Sequence, residues 1–187
     1  DRLRSRGLGD VYKRQGYTGA IIERRLDADL LYAVAQQLPQ YNFVFVGPED
    51  DFFAQHPLHT LKNTYFTGHR EVAELPAYIQ HFDVCLNPQK VNPITEGNYP
   101  LKIDEYLAIG KPVVATSTHT MREVFAEYTH LATDVDSYLY AIQKALGETE
   151  DAELKNARIA FAQTHSWAHS VEKIYKAIDI YKTTSKK

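Results

Sequence analysis

Apolar residues occur along the chain in two alternating patterns: short continuous runs, and longer stretches in which they recur at helical spacing. A continuous run such as NFVFV at 42–46 predicts a buried strand. The stretch 27–38, in which Leu31, Val34 and Leu38 share one face, predicts an amphipathic helix. The same patterns predict strands at 42–46, 63–67, 82–86, 112–116 and 130–133 after a strand end at 16–22, and helices at 27–38, 71–80, 100–109, 120–127, 137–146, 151–164 and 168–181.

Strands that alternate with helices, and that are apolar almost throughout, indicate a parallel sheet with helices on both faces. Right-handed crossovers then give an α/β fold of the Rossmann-like, doubly wound type, here followed by C-terminal helices. In such folds ligands bind beyond the carboxyl ends of the strands. The predicted rim consists of the loops that follow Gly19, Gly47, Thr67, Leu86 and Thr116.

The first residues of the chain differ from the rest. Residues 1–15 show no apolar periodicity, and DVYKRQ at 10–15 resembles the translated end of a sequencing adapter. We therefore predict a non-native segment at 1–15, with a natural basic arm as the alternative, one domain at 16–182 and a polar tail at 183–187. If the first segment is adapter-derived, the native sequence begins near Gly16 and the chain is a fragment.

Composition narrows the class of protein. Hydrophobic residues make up 44% of the chain, enough for a core, and the net charge of −3 gives no indication of nucleic acid or an anionic membrane surface as partner. No apolar stretch in the sequence reaches transmembrane length. Cys85, the one cysteine, lies in an apolar run, which indicates a buried side chain in a reducing compartment. These features predict a cytoplasmic protein, with peripheral attachment at the inner face of the membrane left open.

The segment after the strand predicted at 82–86 carries the candidate chemistry. A polar loop leads to Pro100, and proline suits the first position of a helix, so the free N–H groups of Leu101 and Lys102 would point outward. Such a helix start binds anions, and Lys102 adds a positive charge where the helix dipole alone disfavours one. Glu105 lies on the same surface, one turn further on. The pair fits a nucleoside diphosphate; the alternative is an exposed salt bridge.

The residues at 100–114 follow the pattern P-x-K-x-x-E-Y-L-A-x-G-K-P-V-V. This pattern is similar to one common among bacterial GT-B glycosyltransferases of the family 4 or family 1 type. GYTGAI from Gly16, VFVGP from Val44 and ELPAYI from Glu74 also resemble that family. The resemblance implies the C-terminal Rossmann-like domain, which holds the sugar-nucleotide donor.

The resemblance also implies roles for individual residues. Glu105 matches the glutamate that binds the donor ribose hydroxyls, and the backbone at Leu101 and Lys102 falls where the family holds the diphosphate. Gly19 matches the glycine that lets the donor approach the first strand. Lys102 and Glu105 are therefore the predicted catalytic residues.

Other positions match the family less closely. His69 and Arg70 lie where the family cradles the base. Relatives with an E-x7-E pair place the first glutamate at the position of Gly97, so Glu96 is displaced by one residue. Arg25 falls near a second cation of the family and equally fits a solvated surface charge. The predicted donor-binding set is Gly19, Arg25, His69, Arg70, Glu96, Asn98, Pro100, Leu101, Lys102 and Glu105.

No metal site is predicted. The D-x-D triplets at 27–29 and 134–136 both open predicted helices, where aspartate caps free N–H groups. In the implied reaction, negative charge builds on the β-phosphate as the nucleoside diphosphate departs. The helix start and Lys102 would stabilise that charge, so no metal or other cofactor is expected.

The implied function is transfer of a sugar from a nucleoside-diphosphate sugar to an acceptor hydroxyl, in surface polysaccharide or cell-envelope glycan synthesis. The acceptor, a glycan or a lipid-linked sugar, would bind on a missing N-terminal domain, so this chain alone is expected to show little activity. Two alternatives stay open: a sugar-nucleotide epimerase on the same fold, and a non-catalytic nucleotide-binding module.

Overall fold

The computed structural model of the chain describes residues 13–184. Six strands pair in parallel as one sheet in the order β3-β2-β1-β4-β5-β6. This order is that of a doubly wound Rossmann-like sheet, so the predicted fold class is confirmed. The strands are β1 Arg14–Thr18, β2 Asn42–Val46, β3 Thr64–Phe66, β4 Val84–Asn87, β5 Val113–Thr116 and β6 His130–Ala132.

Eight α-helices connect and follow the strands within the described residues. None of the helices in this part of the chain is both long and apolar enough to cross a bilayer. The helices are α1 Ala28–Gln37, α2 Asp51–Ala54, α3 Leu75–Gln80, α4 Pro93–Glu96, α5 Leu101–Ala108, α6 Val135–Gly147, α7 Ala152–Gln163 and α8 Trp167–Thr184, with 3-10 turns at Pro57–Thr60 and Val72–Glu74 and a π-helical stretch at Met121–Phe125.

The differences from the predicted elements are local. The helix predicted at 120–127 is π-helical over Met121–Phe125. The helix predicted at 71–80 begins as a 3-10 turn, and α3 starts next to Pro76 because proline fits only the first turn of a helix. The short helices α2 and α4 escaped prediction because four residues cannot show helical periodicity.

Two hydrophobic layers cover the sheet. One layer packs α1 and α6 against one face, with side chains such as Leu31, Val34 and Ile142. The other packs α3, α5 and the π-helical stretch against the opposite face, with Ile103 among its members. Cys85 is fully buried in this second layer, as the apolar run around it predicts, and burial raises the pKa of its thiol.

The two ends of the chain lie only partly in the described residues. Of the segment predicted as adapter-derived, residues 1–12 lie outside them, and Arg14 and Gln15 belong to β1. Lys13 Nζ lies 3.2 Å from Asp83 Oδ1, and the Arg14 N–H donates to Asp83 Oδ2 at 2.7 Å. The origin of residues 1–15 stays a prediction. At the other end, α8 continues to Thr184, so the predicted tail at 183–187 begins inside a helix.

Gln15, in β1, affects the stability of the fold. It is 1% exposed, and neither its Nε2 nor its Oε1 has a hydrogen-bond partner among the described residues. Its register partners Phe43 and Val84 belong to the hydrophobic layer under α1 and α6. A buried amide without partners lowers stability.

We expect Gln15→Leu to raise the free energy of unfolding by about 1–3 kcal/mol, because leucine fills a similar volume without an amide to desolvate. Urea denaturation followed by circular dichroism measures the change. Gln37→Leu is the matched control, since Gln37 is exposed at the end of α1 and its replacement should change stability by less than about 0.5 kcal/mol. A Gln15→Leu protein no more stable than the parent contradicts the prediction.

Candidate functional site

The crevice beyond the carboxyl ends of β1 and β4 is where the strand order reverses. β1 and β4 are neighbours, with β2 and β3 on one side and β5 and β6 on the other. In open α/β sheets this reversal point is the usual ligand site. The turn at Gly19 follows β1, and the helix α5 begins on the same rim after β4, so the structure brings these two predicted features together.

Two glycines shape the turn after β1. Gly19 has φ +124° and Gly47 has φ +151°, backbone conformations that side chains disfavour. The Gly19 N–H donates to the Val46 carbonyl at 2.9 Å. A Cβ on Gly47 would lie 2.0 Å from the Gly19 carbonyl oxygen. Glycine at both positions therefore lets the turn close against the end of β2 and leaves the Gly19 backbone on the rim.

The ammonium of Lys102 lies directly beside this turn. Its Nζ donates to Tyr17 Oη at 2.5 Å and lies 3.9 Å from the centre of the Tyr17 ring. A Cβ on Gly19 would be 2.8 Å from Nζ, which shows how close the ammonium lies to the backbone. Burial lowers the pKa of Lys102 to about 7, with Glu105 opposing the shift and Arg25 adding to it. A bound anion would raise this pKa, so the lysine would take up a proton from solvent when the anion binds.

Two tyrosines that the sequence reasoning missed join β1 to α5. Tyr17 Oη donates to the Ala20 carbonyl at 3.0 Å, and burial raises the pKa of Tyr17, so its phenol is neutral. Tyr106 Oη accepts the Thr18 N–H at 2.8 Å. Tyr17 lies within GYTGAI and Tyr106 within the pattern at 100–114, but their contact with opposite elements is a property of the fold.

Glu105 lies one turn after Lys102, and its side chain is exposed on the rim. Partial burial raises the pKa of its carboxyl, Lys102 lowers it, and Asp104 raises it. The carboxylate is thus accessible to a ligand and electrostatically coupled to the lysine. This is the arrangement predicted from their spacing.

The start of α5 differs from the prediction by one residue. Pro100 is the residue before the helix rather than its first residue, and α5 begins at Leu101. The Ile103 N–H donates to the Pro100 carbonyl at 2.9 Å, so the N–H groups of Leu101 and Lys102 precede the first bonded one. These two N–H groups therefore still lie in the first turn of the helix, and anion binding there stays a prediction.

Glu96 and Asn98 lie in the loop that leads to α5. Glu96 Oε1 accepts the His119 N–H at 3.0 Å and lies 3.2 Å from Arg122 Nη2, so its carboxylate bridges to the loop after β5. The Asn98 N–H donates to the Thr95 carbonyl at 3.3 Å. These contacts hold the loop beside the crevice; direct contact of Glu96 or Asn98 with a donor stays a prediction.

The remaining predicted cations lie at different points of the rim. Arg25 follows the Gly19 turn, and its charge lowers the pKa of Lys102. His69 and Arg70 follow β3, at the edge of the sheet, two strands from β1. Arg70 Nε donates to Tyr78 Oη at 2.7 Å, and Nη1 donates to the His69 carbonyl at 2.8 Å. Their role in binding a base stays a prediction.

Both D-x-D triplets cap helices, as predicted. Asp27 Oδ1 accepts the Leu30 N–H at 3.0 Å, and Asp134 Oδ1 accepts the Ser137 N–H at 2.8 Å. Bonds from Ser137 lower the pKa of Asp134. Within residues 13–184, no group of three or more His, Cys, Asp or Glu side chains is arranged to hold a metal ion.

Known proteins resemble this chain in sequence and in fold. A Bacillus subtilis (strain 168) protein, provisionally named the teichuronic acid biosynthesis glycosyltransferase TuaH, is 33% identical over 89% of this chain and 43% of its own length. Anabaena HepE, solved with UDP, has a TM-score of 0.74 at 19% identity, over 90% of this chain and 49% of HepE. Sucrose-phosphate synthase from Thermosynechococcus elongatus has a TM-score of 0.73 at 21% identity, over 91% of this chain and 46% of the synthase.

These relatives are longer than the chain, which spans about half of each or less. The structural likeness, at identities below 25%, establishes the fold. The sequence profile of one family, described as Glycosyl transferases group 1, matches residues 13–148, which is more than half of the chain. The chain therefore belongs to the glycosyl transferases group 1 family.

Proposed function

We propose that this chain binds a nucleoside-diphosphate sugar in the crevice between β1 and β4. We further propose that the protein transfers the sugar to an acceptor hydroxyl in the synthesis of a cell-envelope or surface polysaccharide. One observation carries the proposal. Lys102 lies in the first turn of α5 with its ammonium beside the Gly19 turn, and Glu105 is exposed one helical turn further on.

In this proposal the donor diphosphate meets the start of α5. The N–H groups of Leu101 and Lys102, the helix dipole and the Lys102 ammonium all favour an anion there. When the glycosidic bond to the diphosphate breaks, negative charge builds on the leaving phosphate, and the same groups stabilise it. Glu105 accepts hydrogen bonds from the ribose hydroxyls. The proposed reaction uses no metal ion.

The relatives support a uridine donor and an envelope product. HepE structures contain UDP, UDP with glucose, and UDP-glucose. The Bacillus subtilis relative is named for teichuronic acid biosynthesis. We propose that the acceptor, a glycan or lipid-linked sugar, binds to the part of the longer relatives that this chain does not span.

Isothermal titration of the chain with UDP, ADP, GDP and uridine tests donor binding. We expect one nucleoside diphosphate to bind at micromolar to millimolar concentration, and uridine to bind far more weakly because it lacks the phosphates. Binding of none of the diphosphates overturns the proposed donor site. Product analysis of the longer protein with a UDP-sugar then separates transfer from epimerisation and from binding without turnover.

A further inference from the structure

We infer that Tyr17 is a positioning residue for Lys102: its hydroxyl and ring face fix the lysine ammonium beside the Gly19 turn, at the place where the donor diphosphate is proposed to bind. The inference deepens the proposed function and rests on it for the identity of the anion. The contact between Tyr17 and Lys102 is a feature of the fold and stands independently of any ligand.

Burial and hydrogen bonding fix the position of the Tyr17 hydroxyl. Tyr17 is 2% exposed, so its ring cannot swing into solvent. Its Oη donates a hydrogen bond to the Ala20 carbonyl at 3.0 Å, which leaves the oxygen lone pairs to accept a hydrogen bond from Lys102 Nζ at 2.5 Å. A fixed acceptor at the end of β1 therefore defines where the end of the lysine side chain lies.

The lysine needs such a partner because its side chain is long and flexible. Both long basic side chains carry roughly 2 kcal/mol of rotamer entropy. An ammonium that is already held when the anion arrives loses less of that entropy on binding. The Tyr17 ring, 3.9 Å from Nζ, adds the attraction of an aromatic face for a cation.

Three groups act on the protonation of Lys102 from the elements around it. Tyr17 on β1 provides a neutral acceptor, Arg25 after the Gly19 turn provides a positive charge, and Glu105 on α5 provides a negative one. Burial lowers the pKa of Lys102 to about 7, so the free site is charged in only part of the molecules at neutral pH. Loss of the Tyr17 hydroxyl removes a group that favours the ammonium and should lower this pKa further.

The first test compares UDP binding to the whole chain and to Tyr17→Phe, which keeps the ring and removes the hydroxyl. We expect Tyr17→Phe to weaken UDP binding roughly 5- to 20-fold at pH 7. Its affinity should recover towards the wild-type value as the pH falls to 6. Tyr32→Phe, which removes a hydroxyl on α1 bonded to Gln36, is the matched control and should bind UDP like the wild type. Wild-type UDP affinity across this pH range in Tyr17→Phe overturns the inference.

The second test needs no ligand and separates failure of the inference from failure of the proposed function. An NMR titration of protein labelled at the lysine side-chain carbons follows the protonation of Lys102 directly. We expect its midpoint near pH 7 in the wild type and at lower pH in Tyr17→Phe. Identical titration curves overturn the positioning role, whatever the result with UDP. A shifted curve in a protein that binds no nucleoside diphosphate supports the positioning role and overturns the donor site.

Discussion

Replacing Glu105 with alanine should weaken UDP binding by roughly 10- to 100-fold. In the proposed complex the carboxylate accepts hydrogen bonds from two ribose hydroxyls. In the variant water takes its place, and hydrogen bonds to water are weaker than those to a charged carboxylate. Its exposed position on the rim means that the variant loses no core contacts. Isothermal titration with UDP measures the change, and urea denaturation should show the free energy of unfolding nearly unchanged.

The matched control is Glu153→Ala. Glu153 is an exposed carboxylate in the first turn of α7. The side chain of Lys155, in the same helix, lies against Gly110, which follows the end of α5. This lies at the opposite end of α5 from Lys102, so UDP affinity should not change. Glu105→Gln should fall between wild type and Glu105→Ala, because the amide keeps one acceptor oxygen without the charge. If Glu105→Ala binds UDP as tightly as the wild type, Glu105 does not bind the ribose.

The fold was predictable from the sequence because most of its strands are short runs that are almost entirely apolar. The run at 42–46 became β2 with unchanged bounds, and the strands predicted at 63–67, 82–86, 112–116 and 130–133 lie within one or two residues of β3 to β6. The first strand was predicted only as a strand end at 16–22, and β1 begins earlier, at Arg14. The start of α5 was predictable to within one residue, since proline at the start of a helical pattern is a local signal; the helix was predicted from Pro100 and begins at Leu101. These features depend on neighbours in the sequence, and periodicity detects them.

The contacts within the site were not predictable, because they join residues far apart in the chain. Tyr17 and Lys102 are 85 residues apart, and Glu96 and Arg122 are 26 residues apart. No local pattern indicates that a tyrosine on β1 will receive the ammonium of α5. The spacing of Lys102 and Glu105 indicated an anion site on one helix, and the structure adds the strand that holds the lysine.

Lys102→Met should have the largest effect on donor binding, a loss of roughly 100-fold or more in UDP affinity near neutral pH. Methionine keeps most of the side-chain length and removes the charge. Lys144→Met is the matched control, since Lys144 is exposed in the last turn of α6. A helix that returns from the carboxyl ends of parallel strands ends near their amino ends, so Lys144 lies away from the rim.

The pH dependence distinguishes a lysine that binds the anion from one that is only structural. The pKa of Lys102 is about 7 in the free protein, and a bound diphosphate should raise it. Wild-type affinity for UDP should therefore increase as the pH falls from 9 towards 7, with uptake of a proton, and Lys102→Met should lose this dependence. Equal pH profiles for the two proteins contradict the assignment.

Lys102→Met should raise the free energy of unfolding although it weakens UDP binding. The folded protein holds Lys102 with a pKa below its ordinary value, because burial disfavours the charge. This penalty is fully present below about pH 7 and disappears as the pH rises towards the ordinary pKa of lysine, about 10.4. Lys102→Met removes the penalty, so without ligand the variant should unfold at higher urea concentration than the wild type at pH 6, and the difference should shrink at pH 10. Both results together, higher stability and lost UDP affinity in Lys102→Met, would show that the half-buried lysine serves ligand binding at a cost in stability.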